Sequence, residues 1–232
     1  MSGGALRILQ VGPGTTVQDG GRRGYLRYGV TAAGPMDPFA LATANLALGR
    51  PRDAAVIEVS LSGLEVEAVG CGLTLAICGG AFDIRLGSTR LPSAVVLRLE
   101  PGTRLSIRAS EIGAWAYVAV AGRIDLPAVL GSLSTHTRSG LGGLAGRGLV
   151  AGDSVPVVEA DDSAVGLMAI HAPWLAQNAA SIRVVLGPQD DYFAPEQIQA
   201  FLTQGWTLSS RSDRMAYGLT GVPLVHAKGH DI

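Results

Sequence analysis

The stretch that decides the fold is Phe82-Asp83-Ile84-Arg85-Leu86. Apolar and charged side chains alternate in it, and residues 104–108 alternate in the same way. A period of two is typical of antiparallel strands that bury one face. Working outward over residues 54–121, the predicted strands are Ala55–Leu61, Leu64–Val69, Leu73–Cys78, Phe82–Leu86, Ala94–Leu99, Thr103–Arg108 and Trp115–Ala121. This series of short strands predicts a mainly β fold, either a barrel or a sandwich.

The amino-acid composition limits the structural and functional classes to which the protein can belong. Glycine contributes 32 of the 232 residues, about twice its usual share of ~7%, which suits turns and bulges. Only 16% of the residues are charged, the formal net charge is -1 and no basic cluster occurs, so nucleic acid and anionic membranes are not expected partners. The longest uncharged apolar run, residues 112–122, is far shorter than the ~20 residues of a membrane span. We expect a cytoplasmic protein.

The first candidate site is the loop of residues 14–22, where two threonines, a glutamine, an aspartate and an arginine lie among glycines. These side chains offer hydrogen-bond acceptors and a bidentate donor for a carboxylate or phosphate. The alternative is a glycine-rich hairpin turn whose side chains cap their own backbone. Leu6–Val11 is the predicted strand before the loop, and Tyr25–Val30 the predicted return strand. A helix is predicted from the N-cap Asp37 to Gly49.

The later part of the chain is predicted to be a separate unit. Residues 160–164, which include two aspartates, are the predicted linker. After it, Ser181–Leu186 and Trp206–Ser210 are predicted strands, and Pro195–Gln204 is a predicted amphipathic helix. Residues 212–215 form a further polar cluster in this unit.

Another polar cluster, residues 131–138, follows a predicted single helical turn at Leu126–Leu130. Near the polar clusters stand three arginines, Arg22, Arg147 and Arg214. A guanidinium pairs bidentately with carboxylate or phosphate, and each arginine could equally be structural and bond loop carbonyls. Together they favour a site for a small anionic or amide-bearing molecule.

Other chemistries fit the sequence less well. Residues 140–145 match a dinucleotide-type glycine pattern, but they follow a Ser/Thr cluster rather than a strand. Ser132 or Ser134 with His136 could indicate a serine hydrolase, but neither serine is in a nucleophile elbow. His226 and His230 have the spacing of a helical metal pair, yet a glycine separates them and no third ligand is well placed, so no metal is predicted.

Several motifs extend along almost the whole chain. They are Thr15-Thr16-Val17-Gln18-Asp19-x-Gly21-Arg22-x-Gly24-Tyr25, Gly34-x-Met36-Asp37, Ala44-Asn45, Glu58, Leu130-Gly131-Ser132-x-Ser134-Thr135, Gly142-Gly143-x-x-Gly146-Arg147, Gly152-Asp153, Gly187-Pro188-Gln189 and Ser212-x-Arg214-Met215. They resemble the allophanate hydrolase subunit 2 family, also called the biotin-dependent carboxyltransferase domain family, which includes the C-type subunit of 5-oxoprolinase. Ala216 and Gly218 depart from the family pattern.

The resemblance implies a fold of two cyclophilin-like β-barrel units with a few short helices. The first would span residues 1–160 and the second residues 165–232, with strands that can exchange between the units. Members of the family continue with further strands beyond this point, so the second barrel is expected to be incomplete.

The resemblance also implies a function. The expected one is that of a subunit of a multi-subunit, ATP-dependent 5-oxoprolinase, which opens 5-oxo-L-proline to L-glutamate together with A-type and B-type subunits. The first alternative is a biotin-dependent carboxyltransferase of the urea carboxylase or allophanate type. Lys228 is the only lysine and no biotin attachment sequence surrounds it, so biotin would be carried by a partner. The second alternative is a non-catalytic subunit that regulates or binds a kinase or another partner.

Roles for individual residues follow from the expected lactam substrate. The candidate catalytic residues are Asp19, Gln18 and Arg147, and the candidate substrate-binding residues are Thr16, Arg22, Ser134, Thr135 and Arg214. Asp19 would orient water or accept a proton, and an arginine would pair with the substrate carboxylate or a phosphoryl group. The alternative for Asp19 is an Asx-type turn bond.

Overall fold

Strands carry most of the regular structure, which confirms the predicted mainly β fold. This computed structural model describes residues 3–160, 166–175, 181–212 and 214–228, without the side chains of residues 111 and 112. The chain divides into two compact units, Met1–Gln177 and Asn178–Ile232. Apart from residue 160, the predicted linker lies outside the described residues.

The first unit is built on one antiparallel sheet. Its strands are β1 (Gly4–Val11), β2 (Thr16–Gln18), β3 (Val56–Ser60), β4 (Leu64–Val69), β5 (Leu73–Leu86), β6 (Thr89–Leu91), β7 (Val95–Leu99), β8 (Arg104–Val120), β9 (Arg123–Ile124), β10 (Ser154–Val158) and β11 (Met168–Ala169). The main order is β11-β7-β5-β8-β4-β1-β10-β9; β3 pairs with β2 and β8, and β6 pairs with β5.

Two long strands curl this sheet into a half-barrel. Each of β5 and β8 merges two predicted strands into one, because the pairing continues through irregular steps between Gly79 and Asp83. Gly113 lies opposite these steps with φ of 92°, and a Cβ there would overlap the backbone of Gly80. Glycine therefore allows β8 to bend without leaving the sheet. One end of β8 pairs with β4, and the other pairs with β3.

The predicted helix is confirmed as α1 (Pro38–Ala47), which lies against the sheet. Asp37 caps it, because its Oδ1 accepts from the backbone N–H groups of Phe39 and Ala40, each at 3.0 Å. The inner face, with Ala40 and Ala44, packs in a small core with residues of β3, β5, β7 and β8. The main apolar core lies inside the curled sheet and includes side chains from β1, β4, β5 and β8.

Two predictions for the first unit are wrong. Tyr25–Val30 is not a return strand: Leu26–Tyr28 is a 3-10 turn that ends at Gly29 with φ of 76°. The partner of β2 is β3, so residues 14–22 do not close a hairpin. Leu126–Leu130 is not helical, because Leu130 takes φ of 53° in a two-residue turn that pairs Val129 with Ser132.

The second unit contains α2 (Pro195–Thr203), β12 (Thr207–Leu208) and β13 (Leu219–Thr220). The predicted helix is confirmed, and β12 is a shortened form of the predicted strand at Trp206–Ser210. The predicted strand at residues 181–186 is wrong, because these residues are exposed and pair with no other strand in the described part of the chain. No described residue from 181 to 228 is fully buried.

Candidate functional site

The carboxylate of Asp19 is surrounded by donors from two distant segments of the chain. Its Oδ1 accepts from the hydroxyls of Ser132 and Ser134, at 2.5 and 2.6 Å. The Gly21 N–H donates to the same oxygen at 2.9 Å, and the Leu133 N–H donates to Oδ2 at 2.6 Å. Burial by itself would raise the pKa of Asp19, but these hydrogen bonds outweigh burial and lower it below its ordinary value. Asp19 is therefore ionised at neutral pH and is a weak proton acceptor.

Ser132 and Ser134 also form hydrogen bonds with each other and with the backbone of the loop that carries Asp19. The Asp19 N–H donates to Ser134 Oγ at 2.9 Å, and the Ser134 N–H donates to Ser132 Oγ at 3.0 Å. The bond from Gly21 to Asp19 is the Asx-type turn bond that the sequence offered as an alternative. Asp19 thus makes both the local turn and the long-range contact.

Gln18 is fully buried and connects three segments. Its Nε2 donates to Thr16 Oγ1 at 2.9 Å and to the Thr135 carbonyl at 3.0 Å. Its Oε1 accepts from the Gly34 N–H at 3.1 Å. Both amide hydrogens are used, so Gln18 has no donor left for a substrate in this conformation.

The segment after Thr135 packs along β2, which explains why the two polar clusters meet. The N–H and the Oγ1 of Thr135 both donate to the Val17 carbonyl at 2.9 Å. Further along, the Leu149 N–H donates to the Thr15 carbonyl at 2.9 Å. A Cβ at Gly143 would overlap Thr135 Oγ1, so this close approach requires glycine.

Arg22 is the largest polar side chain in the cluster and is 2% exposed. Its Nε donates to the Val129 carbonyl at 3.4 Å, and its Nη2 donates to the Ser134 carbonyl. Its Nη1 is buried and has no hydrogen-bond partner among the described residues. The guanidinium therefore fixes the segment after Val129 and keeps one unused donor group.

The other two candidate arginines are placed differently. Arg147 forms a bidentate pair with Asp153 at 2.7 and 2.8 Å, and its hydrogen bonds lower the pKa of that carboxyl group. Arg214 belongs to the second unit, where burial lowers its pKa. The structure thus brings together Thr16, Gln18, Asp19, Arg22, Ser134 and Thr135. Arg147 binds Asp153 instead, at a partly exposed position.

Ser132 and Glu58 belong to the site region, although sequence reasoning assigned no role to Glu58 and offered Ser132 only as a possible nucleophile. Ser132 was signalled by the Gly-Ser-x-Ser spacing of its segment. Glu58 is fully buried, stands opposite Thr16 in the β2–β3 pairing, and accepts from the Tyr117 hydroxyl at 2.9 Å. The Met36 N–H donates to the same carboxylate at 2.8 Å, which ties the entry of α1 to the sheet. The signal for Glu58 in the sequence was a single charged residue within a mainly apolar strand.

Two other kinds of site can be assessed directly. No helix in the described ranges has the length and apolar character needed to cross a membrane. In the same ranges, no three His, Cys, Asp or Glu side chains are grouped so that they could hold a metal ion. Of the histidine pair considered above, His226 contacts the ring of Phe193, and residue 230 lies outside the described residues.

Comparison with known proteins extends the picture beyond the site. Residues 28–232 match the family model for the carboxyltransferase domain, subdomain A and B. The C-type subunit of 5-oxoprolinase from Escherichia coli is 36% identical over 93% of this chain and 68% of that protein. The corresponding subunit from Haemophilus influenzae is 30% identical over 94% of this chain and 69% of that protein. Urea amidolyase of Saccharomyces cerevisiae is 34% identical over 94% of this chain but only 12% of that protein.

Solved structures show the same fold. A crystal structure of TTHA0988 matches with a TM-score of 0.79 at 27% identity, over 95% of this chain and 80% of that one. The Kluyveromyces lactis urea amidolyase matches with a TM-score of 0.79 at 28% identity, over 97% of this chain and 14% of that one. On the family match and on these relatives, the chain belongs to the carboxyltransferase domain family.

Proposed function

We propose that this chain is the C-type subunit of a multi-subunit, ATP-dependent 5-oxoprolinase that opens 5-oxo-L-proline to L-glutamate. The observation that carries the proposal is the 36% identity to the C-type 5-oxoprolinase subunit of E. coli, which extends over 68% of that relative. The similarity therefore concerns most of that protein. For the urea amidolyase of S. cerevisiae it concerns one portion, 12% of the length.

The partners in this proposal are A-type and B-type subunits, and a cytoplasmic location stays a prediction. ATP enters as a co-substrate of the assembled enzyme, and no residue of this chain is assigned to it. The sequence has no Gly-x-x-x-x-Gly-Lys-Ser/Thr loop, which favours a nucleotide site on another subunit. The hydrolytic role belongs to the complex, to which this chain would contribute part of the site.

Within the site, the hydrogen bonds favour positioning roles for most of the candidate residues. Thr16, Gln18 and Ser134 already bond within the cluster. A carboxylate with a lowered pKa is a poor general base at neutral pH. We therefore assign Asp19 to holding the loops in place, and we leave substrate contact to the unused donor of Arg22.

Carboxyl transfer is the second candidate function, and the family description and the urea amidolyase relatives favour it. Carboxybiotin would have to be supplied, and biotin is carried on lysine. Lys228 is the only lysine in the sequence, and its Nζ pairs with Asp191 at 2.6 Å. Biotin would therefore arrive on a partner, and no step is assigned to this chain through it.

The test is ATP hydrolysis that depends on 5-oxo-L-proline, measured with this protein mixed with A-type and B-type subunits and with each subunit omitted in turn. We expect turnover to need this protein and to fall about 10²-fold in Asp19→Asn, because displaced loops misplace the substrate. The matched control is Asp125→Asn, an exposed carboxylate paired with Arg123, which should leave turnover unchanged. Hydrolysis stimulated by urea and not by 5-oxo-L-proline would favour carboxyl transfer and refute the proposal.

A further inference from the structure

Several buried polar atoms on the two segments that meet at Arg22 lack a hydrogen-bond partner among the described residues. They are Arg22 Nη1, Thr31 Oγ1 and both ring nitrogens of His136. Native proteins leave few buried polar atoms unpaired, and a buried charge without a counter-charge is costly. Arg22 is the strongest case, because it carries a full charge, is 2% exposed and takes part in none of the described ion pairs.

The unpaired atoms lie on the two segments that Arg22 joins. On one side, the Arg22 N–H donates to the Ala32 carbonyl at 2.8 Å, next to Thr31. On the other side, its guanidinium donates to the Ser134 carbonyl, two residues before His136. A Cβ at Gly142 would come within 2.6 Å of Arg22 Nη2, so no side chain at that position separates the guanidinium from the loop.

Arg22 Nη1, the one of these atoms that carries a full charge, defines the chemistry of a ligand. A guanidinium donates hydrogen bonds and accepts none. A carboxylate offers two acceptor oxygens and a charge that would pair directly with the Arg22 guanidinium. We propose that Arg22 Nη1 is the carboxylate subsite of this protein, so that its substrate is an amide that carries a carboxylate. This rests on the proposed function: 5-oxo-L-proline has such a group, and urea does not.

The loop of residues 23–31 follows Arg22 directly in the sequence and is weakly held. Its described hydrogen bonds lie within the loop, from Tyr28 and Val30 to Tyr25 and from Gly29 to Leu26. Leu26 is 76% exposed, so its side chain adds little to any core. The bond from Arg22 to Ala32 closes the base of the loop. Opening would thus cost few contacts and would leave the pairing of the sheet intact.

The test is a calorimetric titration of the protein with 5-oxo-L-proline and with 2-pyrrolidinone, the same lactam without the carboxylate. We expect 5-oxo-L-proline to bind and 2-pyrrolidinone to bind at least ~10-fold more weakly, because a hydrogen-bonded charge pair is lost. Arg22→Met should weaken 5-oxo-L-proline binding at least ~10-fold and leave 2-pyrrolidinone binding unchanged. Arg22→Lys, which keeps the charge and loses the fork, should restore part of the affinity. The control is Arg23→Met, an exposed arginine of the same loop, which should bind like the wild type.

A second measurement on the unchanged protein covers the case in which Arg22→Met fails to fold. Hydrogen exchange should change in residues 23–31 when 5-oxo-L-proline binds, and should not change around Arg147. Equal binding of the two lactams, unchanged binding in a folded Arg22→Met, or no binding by the wild type would each overturn the subsite. Turnover of the mixed subunits is measured separately. Turnover without the expected binding at Arg22 would refute the subsite alone, whereas the absence of turnover would refute the 5-oxoprolinase assignment.

Discussion

Removing the Asp19 carboxylate should destabilise the first unit by about 2–4 kcal/mol. Asp19→Ala leaves four donors without their acceptor: two hydroxyls and the N–H groups of Gly21 and Leu133. A buried donor that loses its partner costs about 1–3 kcal/mol. The hydroxyls can rotate toward other acceptors, and Ser134 Oγ already lies 3.3 Å from the Asp19 carbonyl. The two N–H groups cannot rotate, so they should account for most of the loss.

The same cluster sets a pH dependence whose sign is fixed by the lowered pKa of Asp19. An aspartate with a folded-state pKa below its unfolded value of about 3.9 contributes stability that is fully present above that pH. The contribution is lost as the pH falls through the lower folded-state pKa. The difference in stability between the wild type and Asp19→Ala should therefore be constant near neutrality and should shrink below about pH 4.

Urea unfolding at pH 7 and at pH 3 measures both effects. Trp206 lies in the second unit, so a Trp206→Phe background lets the remaining tryptophan fluorescence report the first unit. Asp125→Ala is the matched control, because that carboxylate is exposed and paired with Arg123 at 2.9 Å. A loss below about 1 kcal/mol at pH 7, or a difference that stays the same in acid, would refute the reasoning.

Two further predictions concern the segment that packs along β2. Gly142→Ala should lower the melting temperature of the first unit by several degrees, because φ is 67° and the new Cβ would overlap the Ser134 carbonyl. The control Gly140→Ala, with φ of 62° and open space around the new Cβ, should lower the melting temperature less. Equal shifts in the two variants would contradict the packing argument. Arg147→Ala should leave turnover within about twofold, because the guanidinium is exposed and bound to Asp153; a loss above about 100-fold would instead place it in the reaction.

The helices and strands that were predicted correctly are those whose sequence signals act between neighbouring residues. The helix α1 begins at Asp37 followed by proline, and both signals act within one turn. Strand β4 alternates buried and partly buried residues along its whole length, so its limits Leu64–Val69 matched the prediction. The prediction was wrong where the cause is distant in sequence. Tyr25–Val30 has strand-like residues, but the strand before the loop, β2, pairs with β3 instead.

The candidate site was likewise predicted only where its signals are local in the sequence. The polar composition of residues 14–22 correctly indicated a special loop, but its partners are more than 100 residues away in sequence, as between Asp19 and Ser134. The sequence indicated which residue types form the loop. It did not show that these side chains already make their hydrogen bonds within the protein. The bidentate pair of Arg147 with Asp153 was likewise invisible, although both residues lie in the family motifs.

The position of β1 has a consequence for how the chain folds during synthesis. This strand lies between β4 and β10, so one of its two edges stays unpaired until residues 154–158 leave the ribosome. At translation rates of about 5–20 residues per second, that delay is roughly 7–30 s. An unpaired edge on a nascent chain can pair with the wrong strand, including the same strand on a neighbouring ribosome. Slow translation through the β8–β10 region would therefore lower the yield of native protein, and a chaperone that covers β1 would restore it.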